Sequence, residues 1–265
     1  MSESIFVVDH VTLRFGGVVS LNDVTLRMDR GEILAIIGPN GAGKTSLFNS
    51  LTGVYRPQEG SITLTLRDGS TMAVIGKKPH RVSAAGVART FQASRMFSAL
   101  TAYENVKIGA ESHRGIGVVG AMLRGPLTRR DERQSDDRTV ELLRFVGLQD
   151  RANTISSSLS YGDRRRLEIA RGLATQPQVL LLDEPAAGTN PSEKRELASL
   201  IRRVRDEMGV SILLIEHDMK LVMSLAERLY VLNFGSVIAE GAPDEIRANP
   251  VVIDAYLGTT TTAEA

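Results

Sequence analysis

The sequence predicts an α/β fold built on a parallel sheet, and three observations carry that expectation. A glycine-rich loop, Gly38-Pro39-Asn40-Gly41-Ala42-Gly43-Lys44-Thr45, follows the apolar run Ile33–Ile37 and precedes Ser46–Leu51, which reads as a helix closed by Gly53. A second apolar run, Val179–Leu182, ends in the acids Asp183-Glu184, and a third, Ser211–Ile215, ends in Glu216-His217-Asp218. Stretches of helical spacing, such as Glu193–Glu207 and Met219–Leu225, fill the gaps. Short apolar runs read as buried strands, and strands that alternate with helices build parallel sheets because each crossover needs a helix.

Along the chain, residues 5–30 alternate apolar and polar through Val11, Leu13 and Phe15, then Val24, Leu26 and Met28. This predicts two antiparallel strands joined near Gly16-Gly17. Ser61–Leu66 and Met72–Ile75 flank Asp68-Gly69, a hairpin signal. From about Arg95 to Ala174 the pattern turns helical. Within it Gly115–Arg138 runs from glycine-rich into mixed charge, and its apolar part Ile116–Leu123 reads as either a short helix or a contact patch. Val140, Leu143 and Val146 space as one helix face ending at Gly147. Arg228–Phe234 and Ser236–Ala239 read as the last two strands, and Thr259–Ala265 as a disordered tail.

The 265 residues suffice for one large domain or two small ones, and 42% hydrophobic content supports a core. A net charge of +1 provides no general basic field, so composition does not argue for nucleic acid. Arg164-Arg165-Arg166 is expected to be a partly solvated helix face. The absence of cysteine excludes disulfides and cysteine metal sites. The N-terminus shows no secretory pattern, and no apolar run approaches the ~20 residues of a membrane span. The expectation is a soluble, cytoplasmic protein that reaches a membrane only through a partner.

The loop at 38–45 matches G-x-x-x-x-G-K-[ST] in its strand–loop–helix context. Glycines let such a loop wrap a phosphate, successive backbone N–H groups point inward, and the helix N-terminus adds partial positive charge. Gly38, Pro39, Asn40, Gly41, Ala42 and Gly43, with Lys44, Thr45 and Ser46, are therefore the candidate nucleoside-triphosphate set. Lys44 is expected at the β- and γ-phosphates and the Thr45 hydroxyl on Mg²⁺. Asp183 is the expected second protein ligand of Mg²⁺. Glu184, one residue on, stands where a carboxylate can take a proton from attacking water. Ser160 and Gly162 open a helix in Leu159-Ser160-Tyr161-Gly162-Asp163, an N-cap that is also an anion site.

With these motifs in order the chain resembles the ATP-binding-cassette ATPases, from about residue 5 to 258. Leu159–Asp163 resembles their signature, with Tyr161 and Asp163 departing from the common form. Phe91-Gln92 resembles the Q-loop, Glu216-His217-Asp218 supplies the switch histidine, and Ala187–Pro191 resembles the D-loop. Alone, His217 reads as a structural histidine and Gln92 as a surface polar residue; the resemblance implies phosphate contact for His217, and a catalytic and metal role for Gln92. Phe15 stands where the family places an aromatic on adenine, though its alternating strand equally suits a core or edge role. The resemblance implies a P-loop core with a parallel sheet and an antiparallel β subdomain over 5–94 and 175–240. It also implies an inserted helical subdomain over 95–174 and C-terminal helices over 241–258, all in one domain of residues 1–258.

A narrower resemblance is to the longer ATPase of branched-chain amino-acid importers. It rests on Ala88–Gln92 with Met96-Phe97, Leu100–Val106, Arg165–Arg171, Ala186–Pro191 and the ending Gly241–Gly258, while Thr189, Asp163 and Arg164 depart from it. It implies a motor subunit at the cytoplasmic face of the inner membrane, bound to two hydrophobic permease subunits. Its head-to-tail partner is a second copy or a paralogous ATPase, with a periplasmic or extracellular solute-binding protein acting indirectly. ATP and Mg²⁺ lie in cis on Lys44, Thr45, Asp183, Gln92 and His217, with Ser160 and Gly162 reaching the γ-phosphate in trans. Residues near Gln92–Phe97 are expected to dock the permease. The alternative within the family is a cassette uncoupled from transport, which usually carries two cassettes, coiled coils or large insertions. A GTP switch would need D-x-x-G and N-K-x-D, and Asp183-Glu184-Pro185-Ala186 fails the first while the second does not occur. A non-catalytic binding module is disfavoured by Lys44, Asp183, Glu184 and His217 together.

Overall fold

The computed structural model describes residues 3–90, 96–111 and 126–257. Gln92, Phe91, the apolar stretch 116–123 and the tail 259–265 therefore lie outside the described residues. Strands β1 (Ser4–Phe15) and β2 (Val18–Asp29) form the expected hairpin. With β4 (Glu59–Thr65) and β5 (Thr71–Ala73) they make an antiparallel sheet in the order β2-β1-β4-β5. The second sheet runs β10-β9-β3-β8-β7-β6. Its members are β3 (Ile33–Ile37), β6 (Val87–Arg89), β7 (Val179–Asp183), β8 (Ser211–Ile215), β9 (Arg228–Asn233) and β10 (Ser236–Gly241). All neighbours in it are parallel except β9 and β10. This is the α/β class that the sequence predicts. Strand β6 and the short helix α2 (Pro79–Ala84) were not foreseen, because three and six residues are too few to show a period.

Helix α1 (Lys44–Leu51) follows the glycine-rich loop. Helices α3 (Ala102–Glu111), α4 (Pro126–Phe145) and α5 (Tyr161–Ala174) fill the middle of the chain. Helix α6 (Pro191–Met208) starts at Asn190 with a capping box, in which Asn190 accepts the Glu193 N–H and Glu193 accepts the Asn190 N–H. It stops at Gly209, held at φ 65°. Helices α7 (Met219–Leu225), α8 (Pro243–Ala248) and α9 (Pro250–Leu257) complete the layer. Among the described residues no helix is long and apolar enough to cross a membrane.

Strands β3, β7 and β8 are buried on both faces, and their side chains alternate between two cores. Ile33, Ala35 and Ile37 face the helices together with Leu180 and Leu182. Leu34, Ile36, Val179 and Leu181 face α1 and the antiparallel sheet. The helical segment joins the first core through Val106, Leu143, Leu167 and Leu173.

One sequence expectation is corrected here. Leu143 and Val146 are buried, but Val140 is 44% exposed. The face of α4 turned to the core runs Ser135, Thr139, Leu142, Leu143 and Val146, a 3.6-residue period in which two buried positions are polar. The Thr139 hydroxyl donates to the Ser135 carbonyl at 2.8 Å, so its burial leaves that donor satisfied. Leu143→Ala should cost about 2–5 kcal/mol in urea denaturation, while Val140→Ala should stay within about 0.5 kcal/mol of wild type. Equal losses would reject this face.

Candidate active site

Strand register brings the predicted side chains to one edge. Ile36 on β3 and Asp183 on β7 both pair with Ile215 on β8. The loops after β3, β7 and β8 thus leave the sheet together at its C-terminal edge, where ligands bind in such folds. A Cβ on Gly38 would lie 2.1 Å from the Leu232 carbonyl oxygen, and one on Gly43 would lie 2.6 Å from that of Ser20. Gly43 also caps α1 at φ 99°. Glycine is required at both places by the approach of neighbouring backbone. The Lys44 ammonium donates to the Gly38 and Pro39 carbonyls at 2.6 and 2.9 Å. Burial lowers its pKa, and the nearby Glu184 and Asp183 carboxylates oppose that shift.

Thr45 is exposed in the first turn of α1, and the Ser46 hydroxyl lies 2.7 Å from that of Ser20 on β2. Asn40 and Gly41 are exposed, whereas Pro39 and Ala42 are buried. Phe15, at the end of β1, pairs in register with Val18, two residues before Ser20. Its ring is 47% exposed and meets Tyr55 edge-on at 5.0 Å. A part-exposed aromatic thus stands on the hairpin that touches the loop.

Asp183 is buried and accepts from Arg89 Nη2 at 2.7 Å. Arg89 also donates to Asn49 at 2.6 Å and lies over the Phe48 ring, so α1, β6 and β7 meet at one guanidinium. Glu184 is held at φ 48°, a left-handed conformation uncommon for a residue with a side chain, and its N–H donates to Ile215 O at 2.9 Å. His217 is 65% exposed, with Nδ1 3.9 Å from Glu184 Oε2 and 3.5 Å from Glu216 Oε2. Glu216 is fully buried. It accepts from the backbone N–H groups of Ala186, His217 and Asp218 at 2.9, 2.8 and 3.1 Å.

Ser160 and Gly162 form a second cluster. The Ser160 hydroxyl accepts the Asp163 N–H at 3.1 Å and caps α5. Ser160 and Tyr161 are exposed, whereas Gly162 is buried, and a Cβ there would lie 2.8 Å from Glu193 Oε1 on α6. The Tyr161 ring packs close against Gly188. Arg165 departs from the solvated face expected of Arg164–Arg166. It is buried, donates to Glu168 at 2.8 Å and to the Tyr161 hydroxyl at 2.6 Å, and lies over the Tyr161 ring. The helical period turns this one arginine inward, where Glu168 one turn on neutralises it.

Sequence reading overlooked Arg89, Glu216 and Tyr256. The first two lie inside motifs, but nothing in their spacing shows what they touch. The Tyr256 hydroxyl, on α9, accepts the Gly38 N–H, and burial pushes its pKa up. The Arg89–Asp183 contact is a buried ion pair, and breaking one from one side costs about 3–5 kcal/mol. Arg89→Met should therefore destabilise the fold by about that much in chemical denaturation, and adding Asp183→Asn should recover most of the loss. Failure to recover would mean that Arg89 acts through its packing on Phe48.

Comparison with known proteins agrees with this architecture. The family model "ABC transporter" matches residues 21–187, and "Branched-chain amino acid ATP-binding cassette transporter" matches residues 236–260. The high-affinity branched-chain amino acid transport ATP-binding protein LivG of Salmonella typhimurium is 46% identical over 258 residues, covering 97% of this chain and 99% of that protein. BraF of Pseudomonas aeruginosa, described in the same words, is 45% identical over the same shares. Among solved structures, the ADP conformation of MJ1267, an ATP-binding cassette of an ABC transporter, superposes with a TM-score of 0.82 at 27% identity, covering 97% of this chain and all of that one. CbiO1 from Clostridium perfringens, part of the ABC transporter complex cbiONQ, gives 0.79 at 26%, covering 97% and 95%. The glycine-rich loop 38–45, the helix start at Ser160–Asp163, the acid pair Asp183-Glu184 and His217 follow one another on this fold, and these matches place the chain in the ATP-binding-cassette family of ABC transporters, as a nucleotide-binding ATPase.

Proposed function

We propose that this chain is the ATP-hydrolysing motor subunit of an importer for branched-chain amino acids or a related small polar solute. The observation that carries this reading is the similarity to LivG and BraF over 97% of the chain, together with the C-terminal match at 236–260. The site supplies the chemistry. Backbone N–H groups of the 38–45 loop and the Lys44 ammonium bind the β- and γ-phosphates, and Phe15 stacks on the base. Glu184 takes the proton of the attacking water, and His217 and Gln92 contact the γ-phosphate side. Positioning and charge stabilisation do most of the work.

Among the described residues no group of three or more His, Cys, Asp or Glu side chains could hold a metal ion. Mg²⁺ fits the donors present all the same, since it is usually held by one or two carboxylates together with substrate phosphates. Thr45 and Asp183, with Gln92, would hold it, and it would neutralise charge on the phosphates. Ser160 and Gly162 serve the γ-phosphate of a partner subunit, either a second copy or a paralogue. The exposure of Ser160 and Tyr161 at the start of α5 supports such a face.

Attachment to the cytoplasmic side of the membrane runs through two permease subunits, with a solute-binding protein outside. Phe97 favours this docking. Its backbone is clamped by Asn105, which accepts the Phe97 N–H at 3.0 Å and donates to its carbonyl at 3.1 Å, and by the Ser156 hydroxyl at 2.9 Å. The residue is 49% exposed, with the Arg171 guanidinium over its ring. A held backbone with an exposed aromatic suits a partner helix. Met96 packs against the core beside it.

Two outcomes test the reading. Glu184→Gln should slow ATP hydrolysis by about 10²–10⁴-fold while ATP still binds, and unchanged turnover would remove Glu184 from the mechanism. Replacing Met96 and Phe97 with aspartate should abolish co-purification with the permease pair and ATP-driven leucine uptake in proteoliposomes, with ATP binding retained. A folded double mutant that keeps both would place docking elsewhere.

A further inference from the structure

We propose that Glu216 is a positioning residue for ATP hydrolysis: its buried side chain ties the loop that carries Glu184 to the loop that carries His217 and holds both at the phosphate edge. The inference rests on the roles given above to Glu184 and His217.

Glu216 is the first residue after β8, and its side chain is fully buried. A carboxyl group there must find hydrogen-bond donors or destabilise the fold. It finds three, all backbone. Oε1 takes the N–H of Ala186 at 2.9 Å, two residues beyond Glu184. Oε2 takes the N–H groups of His217 and Asp218 at 2.8 and 3.1 Å. The two oxygens thus serve different loops, and the carboxyl plane fixes their separation. Hydrogen bonds of this kind, from backbone N–H to a carboxylate, are among the strong ones.

The neighbouring backbone explains why a clamp is needed. Glu184 sits at φ 48°, a left-handed conformation that is strained for a non-glycine residue and that only surrounding contacts can sustain. Among the contacts that hold it, two reach the end of β8. Its own N–H donates to Ile215 O at 2.9 Å, and the Ala186 N–H donates to Glu216. Both tethers end on consecutive residues, the last of β8 and the first beyond it, just ahead of His217. On the far side, Asp218 caps α7 by accepting the Leu221 N–H at 3.1 Å and pairs with Lys194 of α6 at 2.5 Å, which anchors the second loop. His217 Nδ1 lies 3.5 Å from the clamp and 3.9 Å from Glu184 Oε2, so a small shift of either loop changes the spacing of the two groups that flank the γ-phosphate.

Glu216→Gln is the test. The amide keeps one acceptor oxygen and turns an NH₂ group toward a backbone N–H, so one loop loses its tie at nearly unchanged volume. We expect kcat for ATP hydrolysis to fall by about 10–10²-fold, the effect of a displacement near 1 Å, with MgATP affinity by calorimetry unchanged. In a His217→Ala background the same change should cost much less, because the geometry it protects is already lost. Wild-type turnover in folded Glu216→Gln, or an equal loss in both backgrounds, overturns the proposal. Should Glu216→Gln fail to fold, amide exchange in the wild-type protein decides: the N–H groups of Ala186, His217 and Asp218 must be protected, and fast exchange at Ala186 refutes the tie. If Glu184→Gln and His217→Ala leave turnover intact, the catalytic reading fails, whereas normal turnover in Glu216→Gln beside impaired Glu184→Gln and His217→Ala defeats the clamp alone.

Discussion

The rest of the site depends on the register of three buried parallel strands. Ile36 and Asp183 are both opposite Ile215, so β3, β7 and β8 end on nearly the same rung. Side chains alternate with a period of two, and a slip of one residue would turn Asp183 and every core residue of its strand to the other face. Both faces of β3, β7 and β8 are covered, one by helices and one by α1 with the antiparallel sheet. A slip would therefore swap the two apolar sets between differently shaped cores and turn Asp183 away from Arg89. Geometry at the edge is a consequence of packing several residues away from it.

Charged groups at that edge are each satisfied by something fixed. Asp183 has the Arg89 guanidinium, Glu216 has three backbone N–H groups, and the Lys44 ammonium has two loop carbonyls. Burial of a charge is costly without such partners. Their presence means that the candidate groups are oriented by the protein before any phosphate arrives, which is the condition for electrostatic stabilisation at low reorganisation cost. Arg89 also ties the edge to the chain just ahead of Gln92, because β6 pairs with β7 and Arg89 is opposite Leu181.

The signature region is organised differently. Ser160 caps α5, Tyr161 leans on Gly188, and Arg165 is folded inward against Tyr161 and Glu168. Tyr161, a departure from the family's common form, thus has a structural partner of its own, and the start of α5 packs against the segment that leads into α6. Gly162 lies against Glu193, the residue that completes the capping box of α6.

Local chemistry made much of this legible in the sequence. The 38–45 loop, the apolar runs ahead of Asp183-Glu184 and His217, and the hairpin of residues 5–30 each carry a short-range pattern, and each appears in the fold. Three-residue β6 carries no period, and Val140 fits a helix stripe by spacing while a pair of polar residues, Ser135 and Thr139, holds the buried positions instead. Partnership at a distance left no trace at all: Arg89 with Asp183, Glu216 with Ala186, and Tyr256 with Gly38. The class of fold and the candidate phosphate, metal and acid–base groups are legible without the structure, because glycine conformations, strand periodicity and helix caps are set by neighbours a few residues away. Tertiary contacts alone set which carboxyl is an ion-pair partner and which is a clamp, because burial and hydrogen-bond partners depend on strand register and on segments that meet across the sheet.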